Sequence, residues 1–295
     1  MMKKHSKASG VGLERLCAQD WMQSTETEYG VEFLEAWFQG SAYQKHRHDT
    51  YAICLTTTGV QAFDYRGRSE ISTPGQVVVL HPDEVHDGHA GAQEGFGYRQ
   101  LYVDPALIFE AIQTMCPHTC SLPFVRTPVA MNQKLSAAIT SAFQGTREPL
   151  AIDSLILQLV EGLIEVDPSC KQVSLPRRFD VAALKRARQY LDTQKTRVVH
   201  SVELEAVTGL TRYELARQFR VMCGTSQYRY LLMRRLDFAR QQLIQDRSLV
   251  EVAIEAGFAD QAHFSRMFKA TFGITPARYR GLRVVKGARA EQYNR

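Results

Sequence analysis

Two histidine groups stand close together in the first third of the chain, His46-Arg-His48-Asp49 and His81-Pro-Asp-Glu-Val-His86. Imidazoles two positions apart point to one face of a strand, so His46 and His48, joined by His86, have the residue types for a metal site or for the polar wall of a small-molecule pocket. A third cluster, Cys116-Pro-His-Thr-Cys120, has metal-like spacing but no second ligand pair. The six cysteines are scattered, as reduced thiols would be in an intracellular protein, and do not form a disulfide framework.

The second half carries a different chemistry, and carries it twice. Glu203…Gly209-Leu210…Leu215…Arg217…Phe219-Arg220…Gly224-Thr225 is echoed by Glu251…Gly257-Phe258…Phe264…Arg266…Phe268-Lys269…Gly273-Ile274-Thr275. In each copy a short helix runs into a glycine that can take the left-handed turn, and a second helix starts from a polar cap: Thr211 with Glu214 in the first, Asp260 in the second. Ser248 with Glu251 forms another capping box, opening the support helix of the second copy. This is the pattern of two helix-turn-helix units. With Leu215 and Phe219 turned to the core, the first recognition helix presents Arg212, Tyr213, Ala216 and Arg217. With Phe264 and Phe268 buried, the second presents Gln261, His263 and Arg266, with Lys269 suited to a phosphate or an acidic side chain. Arg reads guanine bidentately and Gln reads adenine, so both sets suit a major groove. The segment Ser226–Ile244 between them reads as one helix of about 20 residues, roughly 30 Å long, close to one turn of DNA. Arg234 and Arg235 on it suit phosphates or acidic side chains.

The elements that must position these groups fall into two blocks of opposite charge. Residues 1–170 hold 12 Lys and Arg against 20 Asp and Glu, while residues 171–295 hold 24 against 11, an asymmetry that points to a polyanion partner for the second block. Short alternating runs, Glu32–Phe38, Tyr51–Thr57, Gln61–Tyr65, Gln76–Leu80 and Tyr98–Val103, are separated by Gly, Pro and Ser punctuation and predict a small barrel or sandwich. Met131–Phe143 and Leu150–Val166 change to helical period; Leu155, Leu159 and Leu163 form a stripe that needs burial against the barrel or a second subunit. The domain reading is an arm at 1–28, an effector-binding barrel at 29–125, a helical packing or dimerisation segment at 126–167, a linker at 168–178, the DNA-binding domain at 179–284 and a tail at 285–295. No run of about 18 apolar residues and no signal-peptide core is present, which reads as a cytoplasmic protein off the membrane.

The stretch Gly257-Phe-Ala-Asp-Gln-Ala-His-Phe-Ser-Arg-Met-Phe-Lys-Ala-Thr-Phe-Gly-Ile-Thr-Pro-Ala-Arg-Tyr-Arg280 resembles the signature of the AraC-type transcription regulators, and the likeness extends over Phe179–Arg283. It implies a seven-helix domain with two helix-turn-helix motifs joined by a long helix, acting on promoters with RNA polymerase and more often as an activator. Gln227 stands where the family often has Pro. The first half resembles the cupin-like β-barrel with two packing helices that accompanies such domains and implies a homodimer. An enzyme cupin wants a carboxylate a few residues after its first His pair; here Asp49-Thr-Tyr-Ala-Ile-Cys offers no Glu. The reading is therefore an effector pocket from His46, His48, Tyr51, His86, Tyr98 and Arg99, with Phe33, Trp37 and Phe63 as apolar walls and Arg99 alternatively paired with Asp83 or Glu84. It has no catalytic residue, metal or cofactor. The alternatives are a constitutive regulator with a scaffold barrel and a cupin metalloenzyme tethered to DNA.

Overall fold

The computed structural model describes residues 20–27, 29–115, 122–167, 179–243 and 247–284, the last three as backbone only. The Cys116–Cys120 cluster, the linker at 168–178 and the tail at 285–295 lie outside the described residues, as does most of the arm.

The first domain is a sandwich of two antiparallel sheets. The strands are β1 (Trp21–Glu26), β2 (Val31–Phe38), β3 (Ser41–His46), β4 (Tyr51–Gly59), β5 (Gln61–Tyr65), β6 (Arg68–Ser72), β7 (Val77–Leu80), β8 (His86–Ala90), β9 (Phe96–Val103) and β10 (Val129–Ala130). One sheet runs β1-β2-β9-β4-β7-β10 and the other β3-β8-β5-β6. The five expected strands are present, within two residues at each end. Strands β1, β3, β6 and β8 are not legible as apolar alternation, because they are polar or half-exposed, and β10 is too short to show a period. The end of the supposed arm is thus a sheet strand, pairing Trp21 to Glu26 with Trp37 to Glu32.

Both faces of the large sheet are covered, so β4 is buried at six consecutive positions. Ala52, Cys54, Phe63, Phe96 and Tyr98 face the sandwich interior. Tyr51, Ile53, Leu55, Phe33 and Leu101 face outward, onto α1 (Pro105–Met115), α2 (Gln133–Gln144) and α3 (Pro149–Val166). Leu155, Leu159 and Leu163 are 5 % exposed or less within that layer, so the apolar stripe of α3 is consumed inside the subunit.

Among the described residues the second domain has seven helices: α4 (Val181–Thr193), α5 (Ser201–Thr208), α6 (Arg212–Cys223), α7 (Gln227–Gln242), α8 (Leu249–Glu255), α9 (Gln261–Phe272) and α10 (Pro276–Val284). The capping boxes at Thr211/Glu214 and Ser248/Glu251 are formed, and Asp260 caps α9. Helix α7 starts at the Ser226 cap without a proline and has 16 residues, about 24 Å of rise. It is shorter than the expected 30 Å and falls well short of one DNA turn. Its core with α8–α10 is continuous with the sandwich interior, whereas α4–α6 share a core with Ala106 and Phe109 of α1.

The repeat also fixes how the domains meet. Gly224 and Gly273 end α6 and α9 in the left-handed conformation, with φ of 69° at both, and each abuts the first domain. A Cβ on Gly273 would stand 2.8 Å from the Tyr43 Cβ and 2.9 Å from the Gln44 carbonyl oxygen. The amides of Gln44 and Arg47 donate to the carbonyls of Gly273 (3.1 Å) and Ala270 (3.2 Å), so β3 closes the open end of α9. Gly209 has the same left-handed φ with open space around it. We expect Gly209→Ala to cost about 1 kcal/mol of backbone strain alone, and Gly273→Ala to cost more and to raise amide exchange in β3. Equal losses in urea titrations of the two variants would contradict this docking.

Candidate DNA interface and effector cavity

On α6, Leu215, Gln218 and Phe219 turn inward, which leaves Arg212, Tyr213, Ala216 and Arg217 together on the exposed face; Tyr213 is 81 % exposed. Arg212 leans back on Glu205 (3.3 Å), which also accepts from the Arg212 amide (2.7 Å). On α9, Phe264 and Phe268 are fully buried, and Gln261 and Arg266 are exposed. His263 is half-buried with its ring 5.5 Å from that of Phe258, and Lys269 is half-buried in the last turn. Each helix thus offers its N-terminal, outward face.

The basic excess of this domain has a second use. Arg188 pairs with Asp104, Lys185 with Glu110 (3.1 Å), Arg229 with Asp83 (3.3 Å), Arg234 with Asp49 (3.0 Å) and Arg240 with Glu32 (2.8 Å), all across the domain boundary. Arg235 instead donates to the carbonyls of Lys195 and Arg197. Sequence reasoning missed these carboxylates. Beyond the acidic side chain for which Arg234 is suited, the charge asymmetry between the halves was their only signal, since the partners lie 75 to 208 positions apart.

A cavity of about 110 Å³ opens between the sandwich and α7, α9 and α10. Its walls include His46, His48, Tyr43 and Tyr102 from the first domain, and Tyr230, Met233, Arg234 and Phe272 from the second. His46, His48 and His86 are brought together, with ring centroids 4.3 to 6.2 Å apart, and are buried. Each donates from Nδ1 to a backbone carbonyl, of Gln44 (2.8 Å), Thr50 (2.9 Å) and Glu84 (3.0 Å) respectively; these carbonyls can only accept, so Nδ1 carries the proton. The other expected lining residues are elsewhere. Tyr51 points to the helical layer and donates to the Pro123 carbonyl (2.7 Å), because odd positions of β4 face outward. Arg99 pairs with Glu35 (2.7 Å) rather than with Asp83 or Glu84. Tyr98 lies in the sandwich interior and donates to the Tyr43 hydroxyl (2.9 Å), one residue back from the cavity. Phe63 is interior core, Phe33 faces the helices and Trp37 is half-exposed; none lines the cavity. Among the described residues no group of three or more His, Cys, Asp or Glu side chains is arranged to hold a metal ion.

Burial sets the protonation of this cluster. It pushes His48 and His86 down to about 3, with each next to another histidine, and it also lowers His46. His81, between the Tyr65 hydroxyl and the Val125 amide, is likewise lowered to about 3. The unfolded chain takes up protons on these groups below about 6.5, while the folded chain refuses them. Their contribution to stability is therefore complete above that pH and is lost on acidification, at roughly 1 kcal/mol per histidine per pH unit. Asp49, raised to about 6 by burial, works in the opposite direction between 6 and 3.8. Four histidines outweigh one carboxylate, so the urea midpoint is expected to fall between pH 7 and pH 5. A flat profile there would mean that the cluster is not held neutral.

Comparison with known proteins places this geometry. Residues 28–160 match the AraC-like ligand binding domain and residues 204–281 a helix-turn-helix domain. The probable transcription factor PqrA of Proteus vulgaris is 32 % identical over 96 residues, 31 % of this chain and 78 % of its own. The chain belongs to the AraC-type transcription regulators. RhaS, an HTH-type transcriptional activator of Yersinia pseudotuberculosis, is 26 % identical over 256 residues, 82 % of this chain and 91 % of its own. A single-residue variant of ToxT from Vibrio cholerae, in its apo form, shares the two-domain fold with a TM-score of 0.60 at 14 % identity, covering 88 % of this chain and 99 % of that one. As an AraC-type regulator, the chain couples a cupin-like ligand-binding domain to a double helix-turn-helix domain that binds DNA. Among the described residues no helix is long and apolar enough to cross a membrane.

Proposed function

We propose that this regulator is a cytoplasmic, effector-controlled activator that binds promoter DNA as a homodimer and works with RNA polymerase. In this reading Arg212, Tyr213, Ala216 and Arg217 enter one major groove, and Gln261, His263, Arg266 and Lys269 the next. With α7 only about 24 Å long, two successive grooves are reached on one face only if the DNA bends toward the protein. The observation that carries the proposal is the position of the cavity: its walls come from both domains, so an occupant touches the barrel and α7 and α9 at once. A ligand that prefers one arrangement of the two domains then shifts the placement of both recognition helices. Solved forms of ToxT include one bound to unsaturated fatty acid, which supports ligand control in this fold. For the dimer, Leu150 and Leu157 remain exposed on α3, seven residues apart on one face, and offer a second copy apolar surface.

The test joins two measurements. A metabolite panel is screened for compounds that raise the melting temperature of the full chain, and each hit is added to promoter footprinting and to in vitro transcription. Altered protection and transcription are expected with a true effector. A compound that stabilises the protein yet changes neither would reduce the barrel to a scaffold. Sedimentation as a monomer at micromolar concentration, with and without DNA, would remove the homodimer.

A further inference from the structure

The charge and hydrogen-bonding of the cavity define what it can hold. Glu26, Glu32, Asp49, Asp104 and Asp237 line it, and the guanidinium groups among or directly paired with them are Arg234, Arg240 and Arg188. Two carboxylates are thus in excess. Arg229 is taken by Asp83 and Arg278 donates to the Ser41 carbonyl, and neither lines the cavity. The second observation is independent of charge. His48 lines the cavity and is only 6 % exposed; its Nδ1 is committed to Thr50, and its Nε2 has no hydrogen-bond partner. In a neutral imidazole protonated at Nδ1, Nε2 is an acceptor, so the site asks for a donor. The walls supply an apolar and aromatic body: Tyr43, Tyr102, Met233 and Phe272; the rings of Tyr43 and Tyr102 suit a cation, whereas Arg240 already lies 5.3 Å from the centre of the Phe272 ring.

We infer that the cavity takes a small protonated primary or secondary amine, whose N–H donates to Nε2 of His48 and whose charge meets the surplus carboxylates. This rests on the reading of the cavity as the effector site. A volume of about 110 Å³ is below the roughly 150 Å³ that encloses benzene, so the cavity holds the ammonium and a short chain, and an attached ring must sit at its open mouth. The rival is a carboxylate on Arg234, whose Nε is also without a partner. Its Nη2, however, is already held by Asp49 at 3.0 Å and Asp237 at 3.3 Å, so an incoming anion must settle beside two carboxylates. Asp49 reports the same field. Burial, with Asp237 and Asp104 nearby, keeps its carboxyl raised to about 6 in spite of Arg234.

Binding of 2-phenylethylamine, 2-phenylethanol and 3-phenylpropionate to the full chain, by calorimetry and thermal shift at pH 7.5, tests this. The amine is expected to bind at least tenfold more tightly than either analogue, and to raise the melting temperature by about 5 °C when present at roughly 100 times its Kd. His48→Phe, which keeps a ring but removes the acceptor, is expected to lower amine affinity about tenfold. Asp237→Asn, which lowers the carboxylate excess, gives a second variant should the first fold poorly. Equal or tighter binding of the alcohol or the acid, or no binding by the amine, overturns the amine assignment. The effector reading is judged separately, by whether any stabilising compound of the wider panel alters the footprint.

Discussion

Arg217→Ala combined with Arg266→Ala is expected to weaken binding to the cognate promoter by roughly 30-fold or more while leaving the melting temperature nearly unchanged. Both arginines are exposed at the same place of the repeat, on helices whose apolar faces are fully committed inward, and neither makes an ion pair within the described residues. Surface substitutions of this kind change stability by about 0.5 kcal/mol or less. A base-reading arginine is worth about 1–3 kcal/mol, and the two sites, on separate helix-turn-helix units, should add. Fluorescence anisotropy on cognate and scrambled duplexes at two salt concentrations separates the possibilities. Loss on the cognate duplex alone identifies base readout; loss on both duplexes with a shallower salt slope identifies phosphate contact. Unchanged affinity and unchanged protection in the double variant would remove both residues from the interface.

Arg240→Ala is expected to cost about 3–5 kcal/mol and to detach α7 from the sandwich, because breaking one side of a buried pair is far more costly than removing both. Arg240 is 9 % exposed and donates twice to Glu32, at 2.8 and 2.9 Å, with Asp237 at 3.6 Å; its removal leaves the largely buried Glu32 carboxylate without a cation. Glu32→Leu combined with Arg240→Met should therefore recover most of the loss. Urea titrations of the singles and the double give the coupling, and hydrogen exchange in β2 and α7 reports the detachment. A single-variant cost below about 1 kcal/mol would make the pair an ordinary surface contact. If the pair holds the domains in one arrangement, the single variant should also make DNA binding less dependent on effector.

The DNA-binding half was legible because its information is local. Capping at Thr211, Ser248 and Asp260, left-handed glycines at 209, 224, 257 and 273, and the inward Leu215/Phe219 and Phe264/Phe268 pairs all act within a few residues of where they are read. The length of α7 was overestimated because its ends are set by packing and by the Ser226 cap, and apolar period alone continues past them. The pocket was half legible. His46, His48 and His86 do meet, but Tyr51 and Arg99 lie away from the cavity, and the sequence holds no sign of which face of β4 and β9 looks inward. A sheet covered on both sides is apolar at both parities, so alternation carries no sign of direction.

The sequence by itself determined the duplicated recognition units, the sandwich that precedes them and the opposite charges of the two blocks. Tertiary structure alone decided what those charges meet. Arg240 and Glu32, Arg234 and Asp49, and Arg188 and Asp104 come together only when α4 and α7 pack across the open side of the sandwich. The same packing creates the cavity, and the pairing of β3 with β8 sets His86 beside His46 and His48, which line it. Neither could be read along the chain, because Coulomb attraction and burial depend on distance in space, and these partners are scores of residues apart in sequence.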